Sequence, residues 1–289
     1  MILVTGATGH FGTATIKALI NKGIAASDIA GLIRDKTKAK ELKELGVKLK
    51  MGDYNDYESL VSAFKNIEKM VFVSGNNLEK REKQHKNVIE AAAEAGVQFV
   101  VYTSFERKNE TDSSPIAMVA KAHMATEEFL KNSGMDYTIM RNSLYADFIP
   151  MFVGEKVLET GIYLPAEDGK TSFALRKEMA EAAAVIISGN GHSGKEYAIG
   201  NMENYSFAQI ADMLSEIAGK EITYKSPSPE KYKETLSNAG VPEDQLQGAV
   251  GFAGAIREGE FYTEKSDLEM LLGRKPTPLK EVLESIYKK

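Results

Sequence analysis

A glycine-rich segment near the start of the chain has the residue types and spacing that bind phosphate groups. Gly6, Gly9 and Gly12 recur at every third position, after a short apolar run and before a helical pattern. In dinucleotide-binding proteins the first glycine permits a tight turn, the second lets the backbone approach a diphosphate, and the third allows close packing of the helix. A tight turn without a ligand is the alternative, which the flanking strand and helix patterns disfavour. The expected nucleotide site comprises Gly6, Thr8, Gly9, His10, Phe11 and Gly12.

A basic residue stands where the second strand is predicted to end. NAD-binding sites usually place an acidic residue there, which accepts a hydrogen bond from the ribose 2′-hydroxyl. This chain instead has Arg34, followed by Asp35 and two lysines, Lys36 and Lys38. A guanidinium binds a 2′-phosphate through paired hydrogen bonds, whereas a carboxylate repels it. We therefore expect NADPH to be preferred, with NADH as a second cofactor; the other interpretation is an exposed Arg34 paired with Asp35.

Two later strand ends carry residues that fit the rest of a dinucleotide. Ligands of open α/β sheets lie outside the carboxyl ends of the strands. Asp53 follows the third predicted strand and is placed to hold the adenine, while Ser74 and Gly75 follow the fourth and are placed beside the ribose. These residue types are also common in ordinary turns. They support a nucleotide site only together with the glycine loop.

Apolar and β-branched runs alternate with helical patterns in the first half of the chain. Several of these helical patterns end at a glycine, where a left-handed residue commonly terminates a helix. The predicted strands are Met1 to Val4, Ile29 to Ile33, Val47 to Met51, Met70 to Ser74, Phe99 to Thr103 and Tyr137 to Met140. The predicted helices are Phe11 to Lys22, Thr37 to Leu45, Glu58 to Phe64, Glu82 to Ala95 and Ala117 to Lys131. Such repeats indicate an α/β fold, a doubly wound parallel sheet of the Rossmann type.

The alternation becomes less regular after Arg141. The predicted elements of this part are helices over Lys177 to Ser188 and Ser206 to Gly219, strands over Glu196 to Gly200 and Glu221 to Lys225, and a helix after Pro229. We expect a dinucleotide-binding domain over residues 1–150, with a return segment over 176–200. Residues 151–289 are expected to form a smaller C-terminal lobe on the substrate side.

Composition excludes several classes of protein. The chain of 289 residues contains no cysteine, so it has no disulfide, thiolate nucleophile, iron–sulfur cluster or cysteine zinc site. The four histidines are scattered and lie at no metal-ligand spacing from a carboxylate, so we expect no metal. The net charge of −5 is not gathered in one region, which argues against nucleic acid as a partner. Apolar runs are too short for a membrane span and no cleavable leader precedes the first strand, so we expect a cytoplasmic protein without a membrane partner.

Several motifs besides the glycine loop resemble those of a known family. The matching segments are Val4 to Gly9, Ile33-Arg34, Gly52-Asp53-Tyr54, Tyr102-Thr103-Ser104, His123 to Glu127, Tyr137 to Asn142, Tyr145 and Asn238 to Pro242. With them the chain resembles the NmrA-like branch of the atypical short-chain dehydrogenases/reductases, and within it the NAD(P)H-dependent reductases of quinones and triphenylmethane dyes. The resemblance extends over almost the whole chain. It implies a Rossmann fold, an NAD(P)H cofactor and reductase activity.

The resemblance also bears on the kind of acceptor. The usual catalytic pair of the family is a Tyr and a Lys four residues apart on one helix, but this chain has Val119 and His123 at those positions. Lys121 points to a different helix face than His123 and does not replace the missing lysine. Reduction of an unactivated carbonyl needs an acid to protonate the developing alkoxide, whereas a quinone gives a stabilised oxyanion. We therefore expect a flat, electron-poor, quinone-like small molecule as the acceptor.

By the same resemblance, the segment after the sixth strand borders the cofactor and the acceptor. Asn142 is expected to donate to the acceptor carbonyl or the nicotinamide amide, and Tyr145 to stack on the acceptor or donate to it. His123 is expected to bind a ribose hydroxyl or the acceptor oxygen. The alternatives are a His123 on the helix surface without a role and a Tyr145 that only packs. Thr103 and Arg141 are further expected cofactor contacts, and the candidates for the pocket wall are Phe148, Met151, Phe152, Tyr163 and Phe173.

Two other functions fit the same residues. A non-catalytic NADP(H) sensor of the NmrA-like kind also lacks the Tyr and Lys pair, and it would pass its signal to a protein partner. A reductase of triarylmethane dyes or enones needs only the same flat pocket. The sequence determines neither the physiological acceptor nor the assembly state, for which a homodimer is one hypothesis.

Overall fold

The computed structural model describes residues 1–288, and every side chain among them except that of Asp244. The strands are β1 (Ile2–Val4), β2 (Ile29–Ile33), β3 (Lys48–Met51), β4 (Lys69–Phe72), β5 (Phe99–Phe105), β6 (Asp136–Asn142), β7 (Ile162–Tyr163), β8 (Lys170–Thr171), β9 (Lys195–Ile199), β10 (Tyr205–Ser206) and β11 (Tyr224–Lys225). The α-helices are α1 (His10–Asn21), α2 (Lys40–Glu44), α3 (Tyr57–Phe64), α4 (Arg81–Glu94), α5 (Ala117–Lys131), α6 (Ile149–Val153), α7 (Val157–Thr160), α8 (Arg176–Ser188), α9 (Phe207–Ala218), α10 (Pro229–Asn238), α11 (Glu243–Arg257), α12 (Leu268–Leu272) and α13 (Leu279–Tyr287). Short 3₁₀ helices cover Ala26–Asp28, Lys36–Lys38 and Ala146–Phe148. None of the described helices is long and apolar enough to cross a membrane.

Seven of these strands form one parallel sheet in the order β3-β2-β1-β4-β5-β6-β9. At its centre Val4 lies opposite Gly31 on one side and Val71 on the other. β2 is buried along its whole length, as expected of a strand that is covered on both faces. The direction of chain progression reverses at β1. Open sheets of this kind bind their ligands at such a reversal, outside the carboxyl ends of the strands.

Helices cover both faces of the sheet. On one face α1, α2, α8 and α12 enclose a core that includes Ile16, Met179 and Leu268. On the other face α3, α4 and α5 enclose a core that includes Phe64 and Ile89. The doubly wound Rossmann fold predicted from the sequence is therefore confirmed.

A further core lies in the C-terminal part, outside the sheet. Its buried residues come from short elements after β6 and from α9, α11 and α13, and include Ile149, Phe207 and Ile256. The predicted return segment contains α8, which packs on one face of the sheet, and β9, which is the last strand of the sheet. Leu268 and Leu271 of α12 also pack in the core of the sheet. The division of the chain at residue 150 stays a prediction, because the sheet and the helices that cover it include elements from both sides of that position.

Local signals account for most helix ends. At the start of α9 the Ser206 hydroxyl accepts from the Gln209 backbone amide, while the Gln209 side chain accepts from the Ser206 amide. Such reciprocal caps satisfy two amides that the first turn leaves unpaired. Gly219 ends this helix in the left-handed conformation. The glycines predicted to follow helices in the first half, at positions 23, 46, 96 and 134, also have positive φ.

Two predicted elements differ most from the structure. The helix expected over residues 37–45 is divided, because the Asp35 carboxylate caps the 3₁₀ turn and α2 begins only at Lys40. The strand expected over residues 221–225 is paired only at Tyr224–Lys225, which lies beside β7. Both are short segments in which a local cap or a single tertiary pairing outweighs intrinsic preference.

Candidate functional site

The glycine loop between β1 and α1 has the geometry of a phosphate cradle. Gly6 has a φ of 56°, and its carbonyl accepts from the Gly9 amide at 2.9 Å, which closes the tight turn. A Cβ atom on Gly12 would overlap the Gly6 carbonyl oxygen and lie 2.8 Å from its carbonyl carbon. No side chain caps α1, so the first amides of the helix are available to an anion. Gly6, Thr8, Gly9 and His10 are exposed, while Phe11 and Gly12 are buried.

Arg34 is exposed at the end of β2. The Asp35 carboxylate turns away from it and accepts from the Thr37 amide at 2.8 Å and from the Thr37 hydroxyl at 2.6 Å. These two hydrogen bonds hold the pKa of Asp35 below its usual range. The ion pair of Arg34 with Asp35, which was the alternative, does not form among the described residues. The guanidinium thus remains available to a ligand beside the glycine loop.

Asp53 lies in a tight turn after β3. One oxygen of its carboxylate accepts from the Asn55 backbone and side-chain amides, both at 2.8 Å. The next residue, Tyr54, donates its hydroxyl to the Val73 carbonyl at 2.9 Å and contacts the Thr5 hydroxyl at 2.5 Å. The ends of β1, β3 and β4 are therefore tied together beneath the place expected for the adenosine. Contact of Asp53 with adenine stays a prediction.

The structure brings Ser74, Gly75 and Thr103 together at the carboxyl ends of β4 and β5. The Ser74 amide donates to the Thr103 hydroxyl at 2.9 Å. The Gly75 amide donates to Nε2 of His85 at 2.9 Å, and the Gly75 carbonyl accepts from Nε of Arg81 at 2.7 Å. Because both backbone groups of Gly75 already have protein partners, this loop is held rigidly. The Thr103 hydroxyl is buried and accepts from this loop, so a contact of Ser74 or Thr103 with a ribose stays a prediction.

His85 and His123 belong to one buried polar network. His85 accepts from Gly75, so the neutral ring carries its proton on Nδ1, which lies 2.8 Å from the Thr126 hydroxyl. Nδ1 of His123 lies 2.7 Å from the Tyr102 hydroxyl and Nε2 lies 3.4 Å from Nη1 of Arg81. Burial, aided by the Arg81 charge, lowers the pKa of His85 to about 3. The same causes, burial first, hold the pKa of His123 well below its usual value.

His123 is therefore neither on the helix surface nor open to a ligand on both sides. Its side chain is buried, with a residual exposure of 4%. One face of its ring stacks on Phe105, with ring centres 5.8 Å apart. Direct contact of His123 with a ribose or an acceptor stays a prediction. The contacts that the structure does show make it a support for Phe105.

Asn142 is the last residue of β6, and Tyr145 lies three residues further along, just before the 3₁₀ helix Ala146–Phe148. Asn142 is 2% exposed, and neither its amide nitrogen nor its oxygen has a partner among the described residues. Such unpaired buried groups are rare because each costs about 1–3 kcal/mol, so a hydrogen bond from a ligand would be favourable at this position. The Tyr145 ring lies beneath the Arg176 guanidinium at 5.0 Å, and that guanidinium is paired with Asp147. Burial raises the pKa of Tyr145, while the Arg176 charge opposes the rise.

The Arg141 side chain is engaged away from Asn142. Its Nη2 lies 3.1 Å from the Glu127 carboxylate and 3.0 Å from that of Glu196. Glu127 also binds Arg107 through both oxygens, at 2.9 and 2.8 Å, and accepts from Ser104. Burial alone would raise the pKa of Glu127, but these hydrogen bonds outweigh burial and lower it. A cofactor contact of Arg141 stays a prediction, and its visible role is to join α5 to β9.

Aromatic side chains line the boundary between the sheet and the C-terminal part. Phe105 at the end of β5 contacts Phe252 of α11, with ring centres 6.1 Å apart, and Phe252 contacts Phe152 at 6.4 Å. All three are half-buried. Of the expected wall residues, Phe148 lies under Arg176, Phe152 joins this group, Met151 is exposed, Tyr163 packs on Tyr232, and Phe173 is buried in the core.

Sequence reasoning missed Arg81, Phe105 and Phe252. Arg81 stands among charged residues at the start of a helix, where a solvated side chain is the ordinary expectation. Phe105 was placed beyond the end of its strand, which extends two residues further than predicted. Phe252 lies between small residues of α11, and no spacing in the sequence connects it to β5.

The same residues can be compared with known proteins. The profile of the NmrA-like family matches residues 1–283. The chain belongs to the NmrA-like family. Quinone oxidoreductase 2 of Escherichia coli strain K12 is 33% identical to this NmrA-like protein over 288 residues, which are 99% of each chain.

Solved structures of similar proteins show the same fold. The NADPH-dependent quinone oxidoreductase from Escherichia coli complexed with NADPH has a TM-score of 0.90 and 32% identity, covering 99% of this NmrA-like protein and 100% of that chain. Triphenylmethane reductase of Citrobacter sp. complexed with NADP(H) has a TM-score of 0.90 and 35% identity, covering 99% of both chains. The predicted family and Rossmann fold are confirmed, and so is the expected class of enzyme, an oxidoreductase.

Proposed function

We propose that this NmrA-like protein is an NADPH-dependent reductase that passes a hydride directly to a flat, electron-poor acceptor of the quinone class. The observation that carries the proposal is the glycine cradle at the reversal of the sheet, with an exposed arginine at the neighbouring strand end. The cradle fits a diphosphate, and Arg34 fits a 2′-phosphate. The relatives crystallised with NADPH and NADP(H) support the same cofactor.

The topology supports one orientation for a bound dinucleotide. Its diphosphate would rest on the amides at the start of α1, and its adenosine would extend over β2 and β3 towards Arg34 and Asp53. The nicotinamide half would then extend over β4, β5 and β6, beside Ser74, Thr103 and Asn142. NADPH, when bound, supplies the hydride.

The residues of the chain would mainly orient the two reactants. The Asn142 amide offers both a donor and an acceptor without partners, which suits the nicotinamide carboxamide or an acceptor carbonyl. Tyr145 and the half-buried phenylalanines would hold a flat ring, and His123 would position Phe105. Well-oriented reactions gain about 7–11 kcal/mol from such placement.

The proton balance agrees with the absence of the Tyr and Lys pair. The acceptor gains two electrons and one hydrogen from the hydride, and its negative charge then resides on a conjugated oxygen. A proton from solvent completes the product. No strong acid is needed, because the oxyanion of a reduced quinone is already stabilised. Val119 at the Tyr position is buried and apolar, so it supplies no proton.

A sensor that binds NADP(H) without turnover is the second candidate function. It is favoured by the network around His123, whose ring nitrogens both face protein groups rather than an open cleft. Reduction of triarylmethane dyes or enones is a variant of the first proposal, since it uses the same pocket. The similarity to triphenylmethane reductase supports including dyes among the acceptors.

The partners and location follow from the proposed activity. We propose a small-molecule acceptor, with neither nucleic acid nor a membrane as partner, and a cytoplasmic location, which the cysteine-free sequence supports. A homodimer is kept as a hypothesis that the elution volume in size-exclusion chromatography would check.

The test is the loss of nicotinamide absorbance with purified protein, NADPH or NADH, and a simple benzoquinone, after subtraction of the enzyme-free rate. Turnover with a preference for NADPH is the expected result. Tight NADPH binding without turnover of quinones, dyes or enones would make the sensor the better proposal. Absence of nucleotide binding would overturn both.

A further inference from the structure

Arg81 is a buried cation without a carboxylate partner in the described part of the chain. It is the first residue of α4 and is 8% exposed. Nε donates to the Gly75 carbonyl at 2.7 Å, and Nη1 lies 3.4 Å from Nε2 of His123. None of the ion pairs between described side chains includes Arg81. Its third nitrogen, Nη2, has no hydrogen-bond partner among the described residues. It is also not one of the polar atoms that are fully buried without a partner.

This arrangement is unfavourable in the protein alone. A buried charge costs several kcal/mol unless an opposite charge and hydrogen bonds compensate it. The contacts of Arg81 are a peptide carbonyl and an imidazole, and the Arg81 charge contributes to lowering the pKa of both His85 and His123 after burial. Burial also lowers the pKa of Arg81 itself, as expected where no acid is close. Glu127, whose charge acts on Tyr102 in the same network, is already neutralised by Arg107 and Arg141.

The position of Arg81 indicates which kind of ligand would compensate it. Its helix follows β4, and its partner His123 stacks on Phe105 at the end of β5. In the proposed binding mode the phosphates of the cofactor lie at α1 and Arg34, on the other side of the reversal of the sheet. Arg81 instead contacts His123, which stacks on Phe105, and Phe105 meets Phe252 of the C-terminal part. This is the half of the cleft where the acceptor would lie.

We propose that Arg81 is an anion-binding group in the acceptor half of the cleft, and that this protein prefers acceptors with an ionised oxygen, as a carboxylate or as a hydroxylate conjugated to the quinone, over neutral quinones. This inference rests on the proposed function and specifies its substrate class. The guanidinium would bind the anion through Nη2 and compensate its own buried charge. It would also stabilise the negative charge that reaches the acceptor oxygen when the hydride, with both electrons of its C–H bond, moves to the acceptor.

Binding of two non-reacting ligands of the same shape tests the proposal without turnover. The probes are 2-naphthoate, an anion, and 2-naphthamide, its neutral amide, each titrated into protein saturated with NADP⁺. The proteins are the wild type, Arg81→Gln, Arg81→Lys, and the control Lys83→Gln, which removes an exposed charge from the same helix. NADPH affinity and benzoquinone turnover are measured for each.

We expect Arg81→Gln to weaken naphthoate binding by about ten- to hundredfold, the range of a charged hydrogen bond. Naphthamide binding should change by less than roughly threefold, as for a site without a charged contact. Arg81→Lys should keep part of the naphthoate preference, and Lys83→Gln all of it. The comparison of naphthoate with naphthamide in the wild type needs no variant, so it remains decisive if Arg81→Gln fails to fold.

Two results would overturn the proposal. One is a wild-type protein that binds naphthamide as tightly as naphthoate. The other is an Arg81→Gln protein that loses NADPH affinity rather than naphthoate affinity, which would make a cofactor phosphate the anion that Arg81 binds. Either result leaves benzoquinone turnover intact as evidence for the reductase. Failure of the reductase proposal would appear separately, as absence of NADPH binding or turnover.

Discussion

Gly12 packs so closely on Gly6 that no side chain fits between them. A Cβ atom on Gly12 would overlap the Gly6 carbonyl oxygen and would lie 2.9 Å from the Ala7 Cα. The carbonyl that causes this overlap also accepts the turn-closing hydrogen bond from Gly9. The turn, the start of α1 and the exposed amides are thus one rigid unit. This unit is the part of the molecule best suited to a diphosphate.

Gly12→Ala should weaken NADPH binding and lower stability together. The added methyl group meets backbone atoms on two residues, and only a shift of α1 relieves the overlap. Overpacking of this kind costs about 1–3 kcal/mol. Nucleotide affinity by titration calorimetry and the free energy of unfolding in urea are the two measurements. Gly248→Ala is the control, because Gly248 lies inside α11 with nothing within 4 Å of an added Cβ, and it should be neutral or stabilising. Equal effects of the two substitutions would contradict this account of the loop.

Arg34→Ala should change cofactor preference more than cofactor binding in general. Loss of the guanidinium removes a charged hydrogen bond to the 2′-phosphate, so NADPH affinity should fall about tenfold or more. NADH has no such phosphate, and its affinity should change by less than roughly threefold. Lys22→Ala removes an exposed charge at the far end of α1 and serves as the control. If both cofactors weaken equally, Arg34 does not bind the 2′-phosphate.

The sequence sufficed for those parts of the site that depend on local backbone. The glycine loop, the doubly wound parallel sheet and the approximate positions of β4 and β6 follow from short-range patterns with a definite physical cause. The environment of His123 did not, because its partners Tyr102 and Arg81 come from a different strand and a different helix. The position of a residue in a helix predicts the side of the helix on which it lies, but it does not predict which other side chains pack against it.

The same limit explains the acceptor side of the cleft. Phe105 and Phe252 are separated by well over a hundred residues and meet only through the packing of α11 against the end of β5. Met151 and Phe173 are both close in sequence to residues of the cleft, but the side chain of Met151 is exposed and that of Phe173 is buried in the core. Aromatic composition alone does not distinguish a pocket wall from a core.

Asn142→Leu should reduce turnover while leaving the unliganded protein as stable as the wild type, or more stable. Leucine has nearly the same volume and removes two buried polar groups that lack partners, which cost about 1–3 kcal/mol when unpaired. Turnover should fall at least about tenfold because a hydrogen bond to a bound reactant is lost. Thermal unfolding and quinone turnover are the measurements.

Asn201→Leu is the matched control for that change. Asn201 is also buried, but its side chain donates to the Thr277 carbonyl and accepts from the Glu203 amide. Its replacement leaves those backbone groups unpaired, so stability should fall. An Asn142→Leu protein that loses as much stability as Asn201→Leu would show that Asn142 is structural.

Tyr145→Phe should lower turnover if the hydroxyl contacts the acceptor, and should leave it unchanged if the ring only packs.

Buried histidines should make the protein sensitive to mild acid. The pKa of His85 is about 3 in the folded protein, against 6.5 for an ordinary histidine, because the ring is buried beside Arg81. Between these two values the unfolded chain binds more protons than the folded one, so the free energy of unfolding falls as pH falls. Each such imidazole contributes at most about 1.4 kcal/mol per pH unit. Stability from this source is fully present above pH 6.5 and is lost progressively below it.

His85→Gln separates this effect from the titration of carboxylates. The glutamine oxygen can accept from the Gly75 amide and its nitrogen can donate to Thr126, as the ring does, but it takes up no proton. From pH 6.5 to pH 5 the wild type should lose about 1.6 kcal/mol more unfolding free energy than the variant, by urea denaturation. His10→Gln, at an exposed position in the glycine loop, should follow the wild-type profile. A His85→Gln protein with the wild-type pH dependence would place the acid sensitivity elsewhere, and His123, buried in the same network, would be the next position to replace.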